Sequence, residues 1–263
     1  MDNLKILFIG DIIGAFGRAI VKKFLPELKE KYAPDMIVAN GENSAHGYGI
    51  TLKIYDELCL MGIDGITMGN HVWDKRDIIQ EISRFEKMAR PANYPSGAPG
   101  NEYIILSTPN GGKLAIVNLI GRVFMPPMDC PFQKIDKLLP AIKAETSNII
   151  VDMHAEASSE KSAMGWYLDG KVSAVVGTHT HVMTADDRIL PQGTAFISDV
   201  GMAGAYDSII GMNKDQILKR FTTGMPERFE PTNDGPGILN AVFIEIDLAG
   251  KSSKIERIIR IAQ

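Results

Sequence analysis

The chain has 263 residues, of which 45% are hydrophobic and 23% are charged, and its formal net charge at pH 7 is −4. This slightly acidic balance argues against a general nucleic-acid groove, which needs a basic stripe, but it allows a small anionic ligand. The two cysteines, Cys59 and Cys130, form no CxxC pair, so the sequence predicts neither a disulfide framework nor a zinc–thiolate site.

Domain organisation and location follow from the same bulk properties. A chain of this length can bury the core of one large α/β domain, and we predict a single domain over residues 1–263. No apolar run approaches the ~18–20 residues that a membrane span needs, and the long apolar segment of a secretory signal is also missing. We therefore expect a soluble, cytoplasmic protein.

Short, nearly continuous apolar runs recur along the chain, as is typical of strands that are covered on both faces. The predicted strands are Leu4–Ile9, Met36–Ala39, Gly65–Met68, Leu114–Leu119, Ile149–Met153, Val172–Val176 and Thr194–Ser198. Predicted helices lie between several of these strands, at Arg18–Tyr32, Leu52–Met61 and Lys75–Lys87. A loop over Arg90–Tyr103 and a C-terminal hairpin around Ala249-Gly250 follow. This order of elements indicates a layered α/β fold.

Polar side chains stand just after the predicted strands. In open α/β folds this is where site residues gather, because the carboxyl ends of neighbouring parallel strands meet at one edge. Singly, each residue has an ordinary explanation as a helix cap, a turn residue or a structural histidine. Together they include four of the five histidines of the chain. The residues concerned are Asp11, Glu42, Asn43, Asn70, His71, His154, His179 and His181.

These donors point to metal ions. Imidazole nitrogens with carboxylate and amide oxygens suit Mn, Fe, Zn, Co or Ni, and the set contains more donors than one ion needs. Two neighbouring ions can clamp phosphoryl oxygens and hold a hydroxide for in-line attack, while a histidine that is not a ligand protonates the leaving group. The residues alone therefore predict a two-metal hydrolase of a phosphate ester.

The motifs GD, GEN, GNH, DMHAE and GTHTH occur in this order along the chain. In this order they resemble the motifs of the calcineurin-like metallophosphoesterases. Longer stretches, such as ANGENSAHGYGIT, GNHVWDK and TADDRILPQGTAFISDVGM, are similar to the YmdB-type phosphodiesterase branch over nearly the whole chain. The resemblance implies a layered α/β sandwich with mixed sheets flanked by helices. It also implies hydrolysis of small phosphodiesters such as 2′,3′-cyclic nucleotides, and a tendency to form homo-oligomers.

The resemblance also implies a role for each residue. One metal ion would be held by Asp11, Glu42, Asn43 and His181, and the other by Glu42, Asn70, His154 and His179. Glu42 would bridge the ions, a hydroxide between them would be the nucleophile, and His71 would be the general acid. Fe or Mn is the first expectation for the ions, with Zn or Mg as alternatives. We expect no stable nucleic-acid binding.

Two positions depart from the wider superfamily. Most members have a histidine two residues after the first aspartate, where this chain has Ile13, and most use an aspartate in place of Glu42. Both departures fit the YmdB-type branch, in which the asparagine after the glutamate fills the place of the missing histidine. Asn43 is that residue here.

Some assignments stay open or have rivals. His46 lies in a glycine-rich loop and is a candidate for either a substrate contact or a solvated residue, whereas Asp74 is interpreted as the cap of the next helix rather than a partner of His71.

A regulatory metal-binding protein that acts through partners in RNA turnover or cell-state control is the alternative function. Gly10, Gly14 and Gly17 are spaced GxxxGxxG and not GxGxxG, which disfavours dinucleotide binding. No GxSxG elbow supports serine hydrolysis.

Overall fold

A computed structural model describes residues 3–263. The strands are β1 (Leu4–Ile9), β2 (Asp11–Ile12), β3 (Met36–Asn40), β4 (Gly65–Thr67), β5 (Met88–Ala89), β6 (Tyr103–Ser107), β7 (Lys113–Ile120), β8 (Ile149–His154), β9 (Ala174–Thr178), β10 (Arg188–Ile189), β11 (Ala195–Ile197), β12 (Met202–Ala205), β13 (Gly237–Ile246) and β14 (Ser252–Ala262). The helices are α1 (Gly14–Tyr32), α2 (Leu52–Leu60), α3 (Asp77–Glu81), α4 (Pro131–Glu145), α5 (Ser158–Leu168) and α6 (Lys214–Thr223), with a 3-10 turn at Ile82–Arg84.

The strands form two mixed sheets. The first has the order β2-β12-β13-β1-β3-β4-β5, with β14 paired antiparallel to β13, and its strands β1, β3, β4 and β5 are parallel neighbours. The second has the order β10-β11-β9-β8-β7-β6, and its strands β11, β9, β8 and β7 are parallel. The carboxyl ends of β1, β3 and β4 therefore meet at one edge, and those of β8 and β9 meet at another.

Side chains alternate between two cores along each central strand. In β1, Ile6 and Phe8 enter the core between the two sheets, whereas Leu7 and Ile9 enter the core beneath α1 and α2. Helices α4 and α5 cover the outer face of the second sheet in the same way. This period of two explains the continuous apolar runs, since both faces of each sheet are buried. The predicted α/β sandwich with mixed sheets flanked by helices is confirmed.

Several predicted boundaries need correction. Helix α1 begins at Gly14 rather than Arg18, and a methyl group at Gly17 would overlap the Ala203 carbonyl, so the glycine permits close packing and does not end the helix. Strand β9 lies at Ala174–Thr178 rather than Val172–Val176, which brings His179 directly to its end. The helix predicted at Lys75–Lys87 is confined to α3 and the 3-10 turn.

Two helices, α4 and α6, were not predicted. Pro131 occupies the first turn of α4, where its missing N–H costs nothing, but Pro140 lies inside that helix and obscures its pattern. The predicted C-terminal hairpin is present as β13 and β14. Within residues 3–263, no helix is both long and apolar enough to cross a membrane.

Candidate metal centre

The polar residues that follow the central strands lie together in the structure. Asp11 lies in β2, immediately past the end of β1, and Glu42 and Asn43 follow β3. The side chains from the second sheet arrive from the ends of β8 and β9. Asp11, Glu42 and His154 are each at most 1% exposed. The remaining predicted metal ligands in this cluster are Asn70, His179 and His181.

One group of donors surrounds His154. Its Nε2 atom lies 3.0 Å from Glu42 Oε1, 3.1 Å from Asn70 Oδ1 and 3.1 Å from His179 Nδ1. One donor atom from each of Glu42, His154 and His179 lies within 4.8 Å of the others, a separation that suits a shared metal ion. These four residues are the ones that the resemblance implies for one of the two ions.

A second group lies on the other side of Glu42. His181 Nε2 is 3.1 Å from Asn43 Nδ2 and 3.7 Å from Asp11 Oδ1. Asn43 Nδ2 is also 3.4 Å from Glu42 Oε1, so Glu42 contacts both groups. A half-turn of the Asn43 amide would present its oxygen at the same place, because the two ends of an amide have nearly the same shape.

Hydrogen bonds fix which nitrogen of each histidine carries a lone pair. Thr178 Oγ1 donates to the Asp152 carboxylate (2.7 Å) and accepts from His154 Nδ1 (2.8 Å), so Nδ1 keeps its proton and the lone pair of the neutral His154 ring is on Nε2. The Ile210 carbonyl can only accept, so His181 Nδ1 donates to it (2.9 Å) and the lone pair is again on Nε2.

His179 follows the same rule with its nitrogens exchanged. Its Nε2 faces the Glu156 carboxylate at 3.2 Å, which leaves the lone pair on Nδ1. Each of the three lone pairs is thus on the nitrogen that faces the donor cluster. Outer partners that orient imidazoles in this way are typical of histidine metal ligands.

An unpartnered buried oxygen tests whether these residues fit a cation. Asp11 Oδ2 accepts the His179 backbone N–H at 3.2 Å, but Asp11 Oδ1 is buried with no hydrogen-bond partner among residues 3–263. An unsatisfied carboxylate oxygen costs several kcal/mol in a protein interior. A cation beside Oδ1 would remove this cost, so the donor set fits a metal ion.

The charges of the cluster also favour a cation. Burial raises the pKa of Asp11 well above its ordinary range, and the nearby Glu42 raises it further. Burial opposes the charge on both members of the Glu42–His154 pair, yet their attraction lowers the pKa of Glu42 to about 2 and raises that of His154 to about 9. Burial and the neighbouring His154 lower the pKa of His179 to about 3, so His179 stays neutral. A cation would therefore take the place of the proton on His154.

A buried ion pair between Lys161 and Asp199 holds the loop that carries His179 and His181. Lys161 Nζ lies 2.6 Å from Asp199 Oδ2, and that oxygen also accepts the backbone N–H (3.0 Å) and the hydroxyl (2.7 Å) of Thr180. His179 and His181 have φ values of 99° and 64°, a region that costs a non-glycine residue about 1–3 kcal/mol. The ion pair thus anchors the residue between two strained histidines.

His71 lies beside this cluster without joining either group. Its backbone N–H donates to Glu42 Oε2 (3.0 Å), and its Nδ1 lies 2.8 Å from Asp74 Oδ2. The interpretation of Asp74 as a helix cap is wrong, because α3 begins after Arg76 and has no side-chain cap. The carboxylate instead holds the His71 ring, which leaves Nε2 for other chemistry.

Comparison with known proteins identifies the family. A family model described as YmdB-like protein matches residues 7–258. The chain belongs to the YmdB-like family.

Its relatives support this assignment over almost the full length. A protein of Bacillus subtilis (strain 168) named "2′,3′-cyclic-nucleotide 2′-phosphodiesterase" is 52% identical to the YmdB-like chain, and 97% of each chain is covered. A crystal structure of a novel phosphatase from Mycoplasma pneumoniae matches with a TM-score of 0.92 and 38% identity, covering 99% of this chain and 94% of that one. A hypothetical protein from Thermus thermophilus matches with a TM-score of 0.90 and 39% identity, covering 98% and 100%. The fold is therefore the calcineurin-like one.

The outer partners of this YmdB-like centre were not predicted from the sequence. Asn40 and Thr178 both hydrogen-bond to the Asp152 carboxylate, and burial raises the pKa of Asp152 to about 6. One signal was available, since an acidic residue inside the apolar strand Ile149–His154 needs a polar partner. Lys161 gave no signal, because nothing in its local sequence shows that its ammonium is buried against Asp199.

Proposed function

We propose that the protein is a metal-dependent phosphodiesterase that hydrolyses small phosphodiesters such as 2′,3′-cyclic nucleotides. The observation that carries this proposal is the convergence of three histidine lone pairs on the buried carboxylates of Asp11 and Glu42. The activity named for the Bacillus subtilis relative supports the substrate class.

Two groups of residues would hold the ions. Asp11, Glu42, Asn43 and His181 would hold one, and Glu42, Asn70, His154 and His179 would hold the other. When bound, such ions would withdraw charge from the phosphoryl oxygens and make water a better nucleophile. The donors are oxygens and imidazoles without a thiolate, a set that is compatible with Fe or Mn, which we propose first, and with Zn or Mg as alternatives.

His71 would supply the proton that the leaving group needs. Asp74 accepts from Nδ1, so a protonated ring would carry its second proton on Nε2 and give it to the departing ribose oxygen. The hydrogen bond from the His71 backbone to Glu42 Oε2 fixes this residue relative to the metal centre. Because 27% of the His71 side chain is exposed, the ring can regain a proton from water after each turnover.

The test is hydrolysis of a panel of 2′,3′-cyclic and 3′,5′-cyclic nucleotides by the purified protein. We expect turnover of the 2′,3′-cyclic compounds, its loss on chelation, and its recovery when divalent metal is restored. Glu42→Gln removes the charge shared by both groups and is expected to abolish turnover. Glu145→Gln, at an exposed carboxylate on α4, is the matched control and is expected to behave like wild type. Turnover that survives both the chelator and Glu42→Gln would contradict the proposal.

A further inference from the structure

A cavity beside the metal centre takes no part in the roles described so far. It has a volume of about 470 Å³ and lies between the loop after β3 and the segment after α6. Tyr48 and Lys75 line one side, and Arg228, Phe229 and Glu230 line the other. We call it the Tyr48–Arg228 pocket. Its volume lies in the range of pockets that bind small organic ligands.

The Tyr48–Arg228 pocket adjoins His71. The Tyr48 ring meets the His71 ring edge-on, with 5.0 Å between the ring centroids. Gly49 (φ +74°) packs so closely that a methyl group there would lie 3.0 Å from Lys75 Cγ and 3.3 Å from the His71 carbonyl oxygen. A substrate whose leaving oxygen reaches His71 would therefore extend toward this pocket.

Backbone hydrogen bonds tie both walls of the pocket to predicted metal ligands. On one side, the Gly47 N–H donates to the Asn43 carbonyl (3.1 Å). On the other, the Thr232 N–H donates to the Gly211 carbonyl (3.0 Å), and Gly211 follows Ile210, whose carbonyl accepts from His181. The pocket is thus held in a fixed place relative to the metal centre.

The chemistry of the walls suits a phosphate attached to a nucleoside. Neither the Lys75 ammonium nor the Arg228 guanidinium lies within 4.0 Å of a carboxylate oxygen of residues 3–263, although Glu230 also lines the pocket. Lysine and arginine without an acidic partner are typical phosphate-binding groups. The Phe229 ring is held against the Arg220 guanidinium, 4.9 Å from the ring centroid, and with Tyr48 it offers aromatic surface for a base.

We propose that the Tyr48–Arg228 pocket binds a second phosphate of the substrate, so that 2′,3′-cyclic nucleotides with a 5′-phosphate are preferred over those without one. This inference rests on the proposed phosphodiesterase function. The nucleotide at the 3′ end of a short oligonucleotide has a phosphoryl group on its 5′ oxygen, whereas adenosine 2′,3′-cyclic phosphate has a free 5′ hydroxyl there. The pocket would therefore favour substrates that come from the cleavage of RNA into short fragments.

The experiment compares kcat/KM for adenosine 2′,3′-cyclic phosphate with and without a 5′-phosphate. Charge-assisted hydrogen bonds to the added phosphate are expected to raise kcat/KM by about tenfold in the wild-type protein. The double variant Lys75→Gln/Arg228→Gln is expected to reduce this ratio to near one. Lys137→Gln, which removes an exposed lysine on α4, is the matched control and should keep the wild-type ratio.

Two results would overturn the inference: a ratio near one in the wild-type protein, or a high ratio that the double variant leaves unchanged. If neither substrate is hydrolysed by the wild-type protein, the proposed function fails. Ligand affinities measured by calorimetry then test the phosphate site in the pocket separately. Adenosine 5′-monophosphate should then bind about tenfold more tightly than adenosine, and only the double variant should lose that difference. Equal affinities in the wild-type protein, or a difference kept by the double variant, would reject the pocket as a phosphate site.

Discussion

Gly69 lies where the donor atoms of two predicted ligands meet. A methyl group at this position would overlap both Glu42 Oε2 and His154 Nε2. The glycine of the GNH motif is therefore explained by space around the metal centre and not by the turn alone.

We expect Gly69→Ala to lower metal affinity by about 10–100-fold, the range found when the support of a ligand is disturbed. A calorimetric titration with metal measures the change in affinity. Gly97→Ala is the matched control, because a methyl group at Gly97 would have nothing within 4 Å, and its affinity should equal that of wild type. Equal affinities in both variants would show that the donor atoms are not held as tightly as described.

Substitution of His71 tests whether metal binding can be separated from catalysis. His71→Ala is expected to keep its metal content and to lose about 10²–10⁴-fold in kcat, the usual contribution of a general acid. Asp74→Asn should keep the proton donor but hold it less well, and we expect a smaller loss than that of His71→Ala. Elemental analysis and steady-state kinetics on the same samples check both points. Full activity of His71→Ala would remove the acid role.

The sequence was enough to predict which side chains lie together in the cluster, but not the residues that support them. The resemblance to the wider superfamily implies a histidine at the position of Ile13, and its absence pointed to Asn43, whose Nδ2 lies 3.1 Å from His181 Nε2. The link between Asp74 and His71 was missed because an acid three residues after a histidine equally well caps a helix. Long-range partners such as Asp199 for Lys161, 38 residues apart, leave no local pattern.

Among the elements, the loop between β9 and β10 is held by a buried ion pair. Lys161 and Asp199 are 2% and 1% exposed, so each ion would be left without a partner if the other were removed. Breaking a buried pair in this way costs about 3–5 kcal/mol.

Lys161→Met is therefore expected to lower the free energy of unfolding by about 3–5 kcal/mol, measured by urea denaturation. Lys113→Met breaks the Lys113–Glu145 pair on the surface, whose side chains are 47% and 50% exposed, and should leave stability close to that of wild type. A Lys161→Met protein as stable as the Lys113→Met protein would mean that the pair does not support the loop.

Strands were easier to predict than helices. Apolar runs such as Leu4–Ile9 and Ile149–Met153 mark strands because both faces of each sheet are buried. Helix α4 was missed because Pro140 interrupts its pattern, and the end of β9 was missed because Gly177, a residue type that is depleted in strands, ends the apolar run before Thr178. The short strand β2 depends on pairing with β12, almost two hundred residues away, which no local pattern reveals.

In the whole molecule, the two sheets bring predicted metal ligands from distant parts of the chain to one place. Asp11, Glu42 and Asn70 come from the first sheet, and His154 and His179 come from the second. The parallel order of the strands made it predictable that polar residues gather at the edge of each sheet, whereas the meeting of the two edges depends on how the sheets pack, which no local pattern reveals. The single domain over residues 1–263, the cytoplasmic location and the homo-oligomeric state stay predictions.

Metal loading and turnover measured together test the account most directly. Protein stripped by a chelator is titrated with Mn²⁺ or Fe²⁺, and bound metal and hydrolysis of adenosine 2′,3′-cyclic phosphate are followed on the same sample. We predict that turnover rises in step with bound metal to about two ions per chain, as expected for a two-metal site, and that Glu42→Gln shows neither. Turnover by metal-free protein, or full metal binding with no hydrolysis of any cyclic nucleotide, would contradict the account.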